Sequence, residues 1–373
     1  MTSAPVIGID GRLYRGNHTG IGVYTRHLVD HLARLDPEGD YVLFTDRPQP
    51  PPAGPFRVVS LPLRKRALWT QLLLPASLAA NGIRLFHAVA NHDAPVVRPC
   101  PVVVTVHDLI PLIHPDTVSR RHRALFTLFI GRAVRGAAAV LADSEFVRAS
   151  ILDRFALPPE RVRVVPLACD AAFHRPEEPA ETERIAASYR LRRPYVLYVG
   201  AFEPRKNVGG LVDAFARAAE RPEFADWQLV LAGGGGWGRE EVQAAVAAAG
   251  LGDRIRVIGL VPAEDLPSLY RGASLFVYPS RYEGFGLPVL EAMAAGVPVL
   301  VSTPSALTEL TGTAGATFRL DLPGDLEGRL ARLLADGGER DRLAAAGRER
   351  AAAFSWERCA RETLAVYREV LGR

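Results

Sequence analysis

Two carboxylates, Glu283 and Glu291, stand eight positions apart around a glycine-rich turn in YEGFGLPVLEAMAAGVPVLVS at 282–302. Pro288 suits the first turn of a helix, where its missing N–H would have no partner. Gly296 followed by Pro298 is a stop signal, and the apolar run VPVLV reads as a buried parallel strand. Glu283 therefore lies on the loop entering a helix, and Glu291 about one turn inside it. The amides near Phe285, Gly286 and Leu287 have no partners within such a helix and face outward with the positive end of its dipole. An anion site with a carboxylate on either flank, suited to hydroxyl groups, points to a nucleotide sugar.

Moving a sugar off a nucleoside diphosphate makes two demands. Negative charge grows on the leaving diphosphate, and the anomeric carbon becomes cationic. Arg205 and Lys206 follow the apolar run at 195–200, which places them at the carboxyl end of a strand. A guanidinium fork beside an ammonium can neutralise a diphosphate, and charge arranged in advance is usually the largest catalytic contribution. A solvated Arg–Lys pair is the competing reading. Lys65 and Lys206 are the only lysines among 45 basic residues, which favours a role for Lys206. Glu291 is the candidate for the ribose, since a carboxylate accepts from two adjacent hydroxyls. His107 and Asp108 close the strand VVVTV in the first half. Gly20 and Gly22 open a helix at 21–35, where backbone can approach a diphosphate closely.

The elements that must position these groups alternate between apolar strand runs and helical runs, which predicts α/β units with mostly parallel sheets. First-half strands are expected at 6–10, 41–45, 84–88, 101–106, 138–143 and 162–167, with helices at 21–35, 119–136 and 145–156. The second half repeats the pattern in YVLYVG, WQLVLAG, RIRVIG, LFVYPS and VPVLVS. The polar stretch at 174–194 reads as a connection, so the expected division lies near 170–190. At 373 residues, two domains fit better than one core. The expected domains are 1–175, which would bind an acceptor, and 190–355, which would bind the donor. The proline cluster at 48–55 reads as a stiff surface loop.

Further motifs carry a family resemblance: GAFEPRKN at 200–207, LVLAGGGG at 229–236, VIGLVPAEDLPSLY at 257–270 and FSWERCARETLAVYREVL at 354–371. Together with Glu-x7-Glu inside EGFG-x-P-x-x-E-A-M-A-x-G-x-P-V, they resemble the signature of the retaining glycosyltransferases of family four. TGIGVYTRHLVDHL at 19–32 and VVVTVHDLIPLIHP at 102–115 resemble a mannosyl- or rhamnosyltransferase-like subgroup. The resemblance covers nearly the whole chain. It implies a GT-B fold, two Rossmann-like domains facing across a cleft, with a helix at 356–373 packing back on the first domain. It implies that Glu283 orients the donor sugar or stabilises positive charge at its anomeric carbon, rather than forming a covalent bond to it. It makes His107 a contact to donor sugar or diphosphate and Asp108 a neighbouring helper or acceptor contact. It also implies front-face attack, the leaving phosphate helping to deprotonate the acceptor. The implied donor is a GDP-mannose-like nucleotide sugar, and the acceptor a saccharide, a lipid-linked saccharide or a natural product. Two departures stand out: Thr308 precedes Glu309 where proline is common, and PLACD at 166–170 stands where Pro-x-Gly-Val-Asp is frequent.

Composition narrows the rest. An apolar content of 48% with 23% charge is that of a globular protein, and a net charge of +4 is too small to imply nucleic acid. No signal-like segment precedes the first strand and no apolar run is long enough to span a membrane. Cys100, Cys169 and Cys359 lack metal or redox spacing. These features predict a cytoplasmic enzyme. The clusters Arg64-Lys65-Arg66 and Arg120-Arg121-His122-Arg123 leave open peripheral contact with the inner face of the membrane; a solvated charged surface is the competing reading. No Asp-x-Asp motif is present, and His27 and His31 lack the H-E-x-x-H pattern, so neither metal nor other cofactor is expected. Gly233, Gly235 and Gly238 formally satisfy G-x-G-x-x-G, but they do not follow the first strand of a domain. A nicotinamide-dependent dehydrogenase and a non-catalytic nucleotide-sugar-binding subunit remain the alternatives.

Overall fold

The computed structural model describes residues 5–15, 19–63, 65–236 and 238–372. The chain divides into two compact units, Met1–Leu167 with Ser355–Arg373, and Ala168–Phe354.

The first unit is built on seven parallel strands. They are β1 (Val6–Asp10), β2 (Asp40–Thr45), β3 (Phe56–Ser60), β4 (Leu85–Ala88), β5 (Val102–Val106), β6 (Ala139–Ala142) and β7 (Val162–Val164), in the order β3-β2-β1-β4-β5-β6-β7. All five residues of β5 are buried, as a parallel strand covered on both faces requires. Helix α1 (Gly20–Leu35) buries Tyr24, Leu28, Val29 and Leu32, an apolar stripe at helical spacing. Helix α2 (Arg120–Gly136) is capped by Ser119 and buries Phe126, Ile130, Ala133 and Val134. Each buried Leu, Ile, Val or Phe side chain among these contributes about 1.5–3 kcal/mol. The sequence reading did not anticipate β3, a half-buried edge strand directly after the proline cluster.

The second unit carries β8 (Tyr195–Val199), β9 (Gln228–Ala232), β10 (Ile255–Gly259), β11 (Leu275–Tyr278), β12 (Val299–Thr303) and β13 (Ala316–Arg319). All are parallel, in the order β10-β9-β8-β11-β12-β13. Strand order reverses between β8 and β11, and in such sheets the crevice beyond the carboxyl ends at the reversal is where ligands bind. In the first unit the same reversal lies between β1 and β4. Helix α3 (Leu287–Ala294) follows β11 and buries Val289, Leu290 and Met293.

The division falls at Leu167/Ala168, ahead of the expected 170–190, so residues 168–175 belong to the second unit. Packing explains the shift. The Phe173 ring meets Tyr270 edge-on at 5.6 Å, and Arg271 donates to the Ala172 carbonyl at 3.2 Å. Much of the polar stretch expected as connection is the helix Pro179–Tyr189. Helix α4 (Trp356–Val370) belongs to the first unit, where it packs along α1.

Candidate active site

Two loops meet at the strand reversal of the second unit. The one after β8 makes a single 3₁₀ turn, Pro204–Lys206, ended by Asn207 in the left-handed region at φ 54°. The one after β11 runs into α3. The Arg281 amide donates to the Arg205 carbonyl at 2.7 Å and the Arg205 side chain donates through Nη1 to the Tyr282 carbonyl at 3.3 Å, so one backbone and one side-chain bond tie the loops together. Ser302 Oγ donates to the Ser280 carbonyl and anchors the turn from beneath.

The side chains converge accordingly. Glu283 Oε1 accepts from Lys206 Nζ at 2.5 Å and from Arg205 Nη1 at 3.1 Å. Lys206 also donates to the Tyr278 hydroxyl at 2.6 Å, and Arg205 Nε lies 2.8 Å from Glu203 Oε2. Glu283 and Lys206 are buried. Burial pushes the Glu283 carboxyl up, but Lys206 and Arg205 outweigh it and hold the group below its usual range. Burial lowers Lys206, against the attraction of Glu283. The result is two fixed cations on an ionised carboxylate.

Gly286 precedes α3 at φ 104°, where a Cβ would also lie 2.4 Å from Leu307 Cδ2. Pro288 sits in the first turn, and the Val289 and Leu290 amides turn back to the Gly286 carbonyl at 2.9 and 3.2 Å. The amides of Phe285, Gly286 and Leu287 therefore lie ahead of the first intrahelical bond. One turn along, Glu291 Oε2 accepts from the Tyr270 hydroxyl at 2.9 Å. Tyr270, Phe276 and Tyr278 stand ring against ring, at 5.4 and 5.8 Å, which joins Glu291 to the Lys206–Glu283 cluster. Burial raises Glu291 to about 7 despite the Tyr270 hydrogen bond. The glycine turn after β9 packs on the same neighbourhood: a Cβ on Gly233 would lie 2.0 Å from the Gly200 carbonyl oxygen, and one on Gly236 2.6 Å from that of Phe202. These glycines serve close backbone packing in this unit.

In the first unit His107 directly follows β5 and is buried. Nδ1 pairs with Asp143 Oδ2 at 2.7 Å and Nε2 with the Val89 carbonyl at 2.9 Å, so both ring nitrogens are committed to protein groups. Burial opposes charging the ring, but the Asp143 carboxylate prevails and raises it above its ordinary value. Asp108 Oδ1 accepts from the Ile110 amide at 3.0 Å, a local turn cap. Gly20 begins α1 at an exposed position. Gly22 is buried and its amide donates to the Thr19 hydroxyl at 3.4 Å, a capping contact at the start of α1. His27 stacks on Trp356 at 4.7 Å, and His31 bonds the His27 carbonyl at 2.8 Å.

Sequence reasoning missed a buried ionic network at the β1/β4 reversal. Arg12 lies 2.6 Å from Asp10 and 2.8 Å from Asp93, with its guanidinium 4.1 Å above the Trp69 ring. Arg66 joins from outside, donating to Asp93 Oδ1 at 2.8 Å. Only Asp10, at the end of a strand and two before an arginine, gave any signal in sequence. Asp143, Tyr270 and Tyr278 were also missed, because each acts through a partner distant in the chain.

Two parallel-sheet Rossmann-like units, with cations and carboxylates gathered at a strand reversal, define a GT-B glycosyltransferase that uses a nucleotide-sugar donor. The family model described as "Glycosyltransferase Family 4" matches residues 18–173, and that described as "Glycosyl transferases group 1" matches 180–350. The O-antigen chain mannosyltransferase B of Escherichia coli is 36% identical over 272 residues, 71% of this chain and 70% of that protein. The MMP alpha-(1->4)-mannosyltransferase of Mycolicibacterium hassiacum is 32% identical over 292 residues, 73% of this chain and 66% of that protein. Among solved structures, sucrose-phosphate synthase from Thermosynechococcus elongatus superposes with a TM-score of 0.79 at 24% identity, covering 99% of both chains. The chain belongs to glycosyltransferase family four. The dehydrogenase alternative falls with that membership. Among the described residues, no helix is long and apolar enough to cross a membrane.

Proposed function

We propose that the protein transfers a hexose, with retention, from a GDP-mannose-like donor to a saccharide, lipid-linked or natural-product acceptor. The convergence of Lys206, Arg205 and Glu283 beside the amino terminus of α3 carries this reading. The diphosphate would bind between the two cations and the amides of residues 285–287, which would stabilise its growing charge in place of a divalent ion. Glu291 would hold the ribose hydroxyls, with Tyr270 fixing its orientation. Glu283, ionised by its neighbours, would orient the sugar and offset positive charge at the anomeric carbon. The C1–O bond to the diphosphate breaks with its electron pair leaving on phosphate. The acceptor oxygen forms the new bond on the same face and passes its proton to the departing phosphate oxygen. The mannosyl donor is favoured by the similarity to mannosyltransferases of Escherichia coli and Mycolicibacterium hassiacum.

A thermal-shift screen of GDP-, UDP-, TDP- and ADP-sugars, with EDTA present, tests the donor. A ligand at one hundred times its dissociation constant stabilises by roughly 2.7 kcal/mol. A shift specific to GDP-mannose, lost in Lys206→Ala, is expected; a shift unchanged by that substitution refutes the site. Binding without transfer or hydrolysis across a broad acceptor panel would favour a non-catalytic subunit.

A further inference from the structure

Three segments of the first unit, separate in sequence, build one surface. A helical run from 66 to 80, with a π-helical stretch at Trp69–Leu73, meets the 94–98 loop: Gln71 donates to the Ala94 carbonyl at 3.3 Å and accepts from the Val96 amide at 2.9 Å. The loop in turn meets α2, where Arg98 donates to the Arg132 carbonyl at 2.6 Å and the His92 ring packs on Phe126 at 5.1 Å. Large apolar side chains stand in water on each segment: Leu68, Leu72 (64% exposed), Leu73, Val96, Val97 (66%), Leu125 and Leu128.

The charges carried by these three segments are of one sign. Lys65, Arg120, Arg121, Arg123 and Arg132 are exposed. The tracts 61–80, 94–107 and 117–142 contain no Asp or Glu. Asp93, between them in sequence, is buried and held by Arg12 and Arg66. Arg120, Arg123, Ala124, Thr127 and Leu128 line a shallow depression of about 570 Å³ on α2. Arg64 of the first cluster lies outside the described residues.

We propose that this face, formed by residues 65–73, 96–97 and the outer side of α2, docks on an anionic lipid bilayer. Apolar residues on segments whose only charges are cations match an acidic headgroup layer above acyl chains, where guanidinium groups meet phosphates and leucines enter the interface. A second copy of the chain would bring the same cations against one another, so like charge disfavours it. The inference deepens the lipid-linked reading of the acceptor by naming the surface its substrate lies in. The vesicle test uses neither donor nor transfer, so either reading can fail alone.

Flotation of the full chain with phosphatidylcholine vesicles, with and without 30 mol% phosphatidylglycerol at about 0.1 M salt, decides it. Binding to the anionic vesicles alone is expected. Leu72→Ser with Val97→Ser, and separately Arg120→Gln with Arg121→Gln and Arg123→Gln, should each weaken it at least tenfold. Leu260→Ser, an exposed apolar residue of the second unit, should leave it unchanged. Near-wild-type melting temperatures show that the variants fold. Wild type that stays with the unbound fraction overturns the proposal, as do variants that float like wild type. So does a concentration-dependent dimer that the Leu72/Val97 variant dissolves.

Discussion

Glu291 titrates at about 7, pushed up by burial, and that has a sign. A carboxyl raised on folding contributes stability below its unfolded pKa near 4.5 and loses it as pH rises through 7. Glu291→Gln cannot lose a proton there. Its melting temperature relative to wild type should therefore rise between pH 5 and pH 8, measured by calorimetry at several pH values; a parallel pair of curves would contradict this. A ribose-binding role needs the carboxylate, so donor affinity of the wild type should rise over the same interval and the slope should vanish in the variant. Glu283 behaves oppositely: its two cations keep it ionised. The two glutamates of one motif are thus set apart by their surroundings, a difference that their spacing could not disclose.

The loop-to-helix turn at 284–288 depends on Gly286, which has both a positive φ and no room for a Cβ. Gly286→Ala should destabilise the second unit by about 1–3 kcal/mol and weaken donor binding, as read by denaturant unfolding and by the thermal shift. Retention of both would show that the turn tolerates a side chain. Thr308 explains a departure from the family pattern: its hydroxyl accepts from the Ser305 amide while Ser305 caps the helix Ala306–Thr311, a contact proline could not make. At this scale the sequence was highly legible. Strands such as VIGID and VVVTV are predominantly apolar and β-branched, and their bounds were read almost to the residue. The edge strands β3 and β13 escaped because half-burial leaves a short, mixed pattern. In the second unit, Arg205, Lys206 and Glu283 were legible because each follows a strand whose carboxyl end is plain in sequence. His107 was equally plain in sequence, but Asp143 and the Val89 carbonyl that claim its nitrogens lie 36 and 18 positions away.

Across the whole molecule, α4 is fastened to the first unit by more than apolar contact. Tyr367 meets His87 Nδ1 at 2.5 Å, and His87 Nε2 meets the Thr105 hydroxyl at 2.7 Å, all of it buried. Burial lowers His87 to about 3, so the ring stays neutral and keeps one donor and one acceptor. Tyr367→Phe leaves Nδ1 without a partner and should destabilise the first unit by about 1–3 kcal/mol. Hydrogen exchange should show faster opening of α1 and β4, and protection equal to wild type would refute the coupling. The fastening also bears on biosynthesis. Residues 355–373 leave the ribosome only after the whole of Ala168–Phe354 has been made. A nascent amino-terminal half must therefore wait, with the face of α1 that α4 will cover still bare, while the later-translated half can close first.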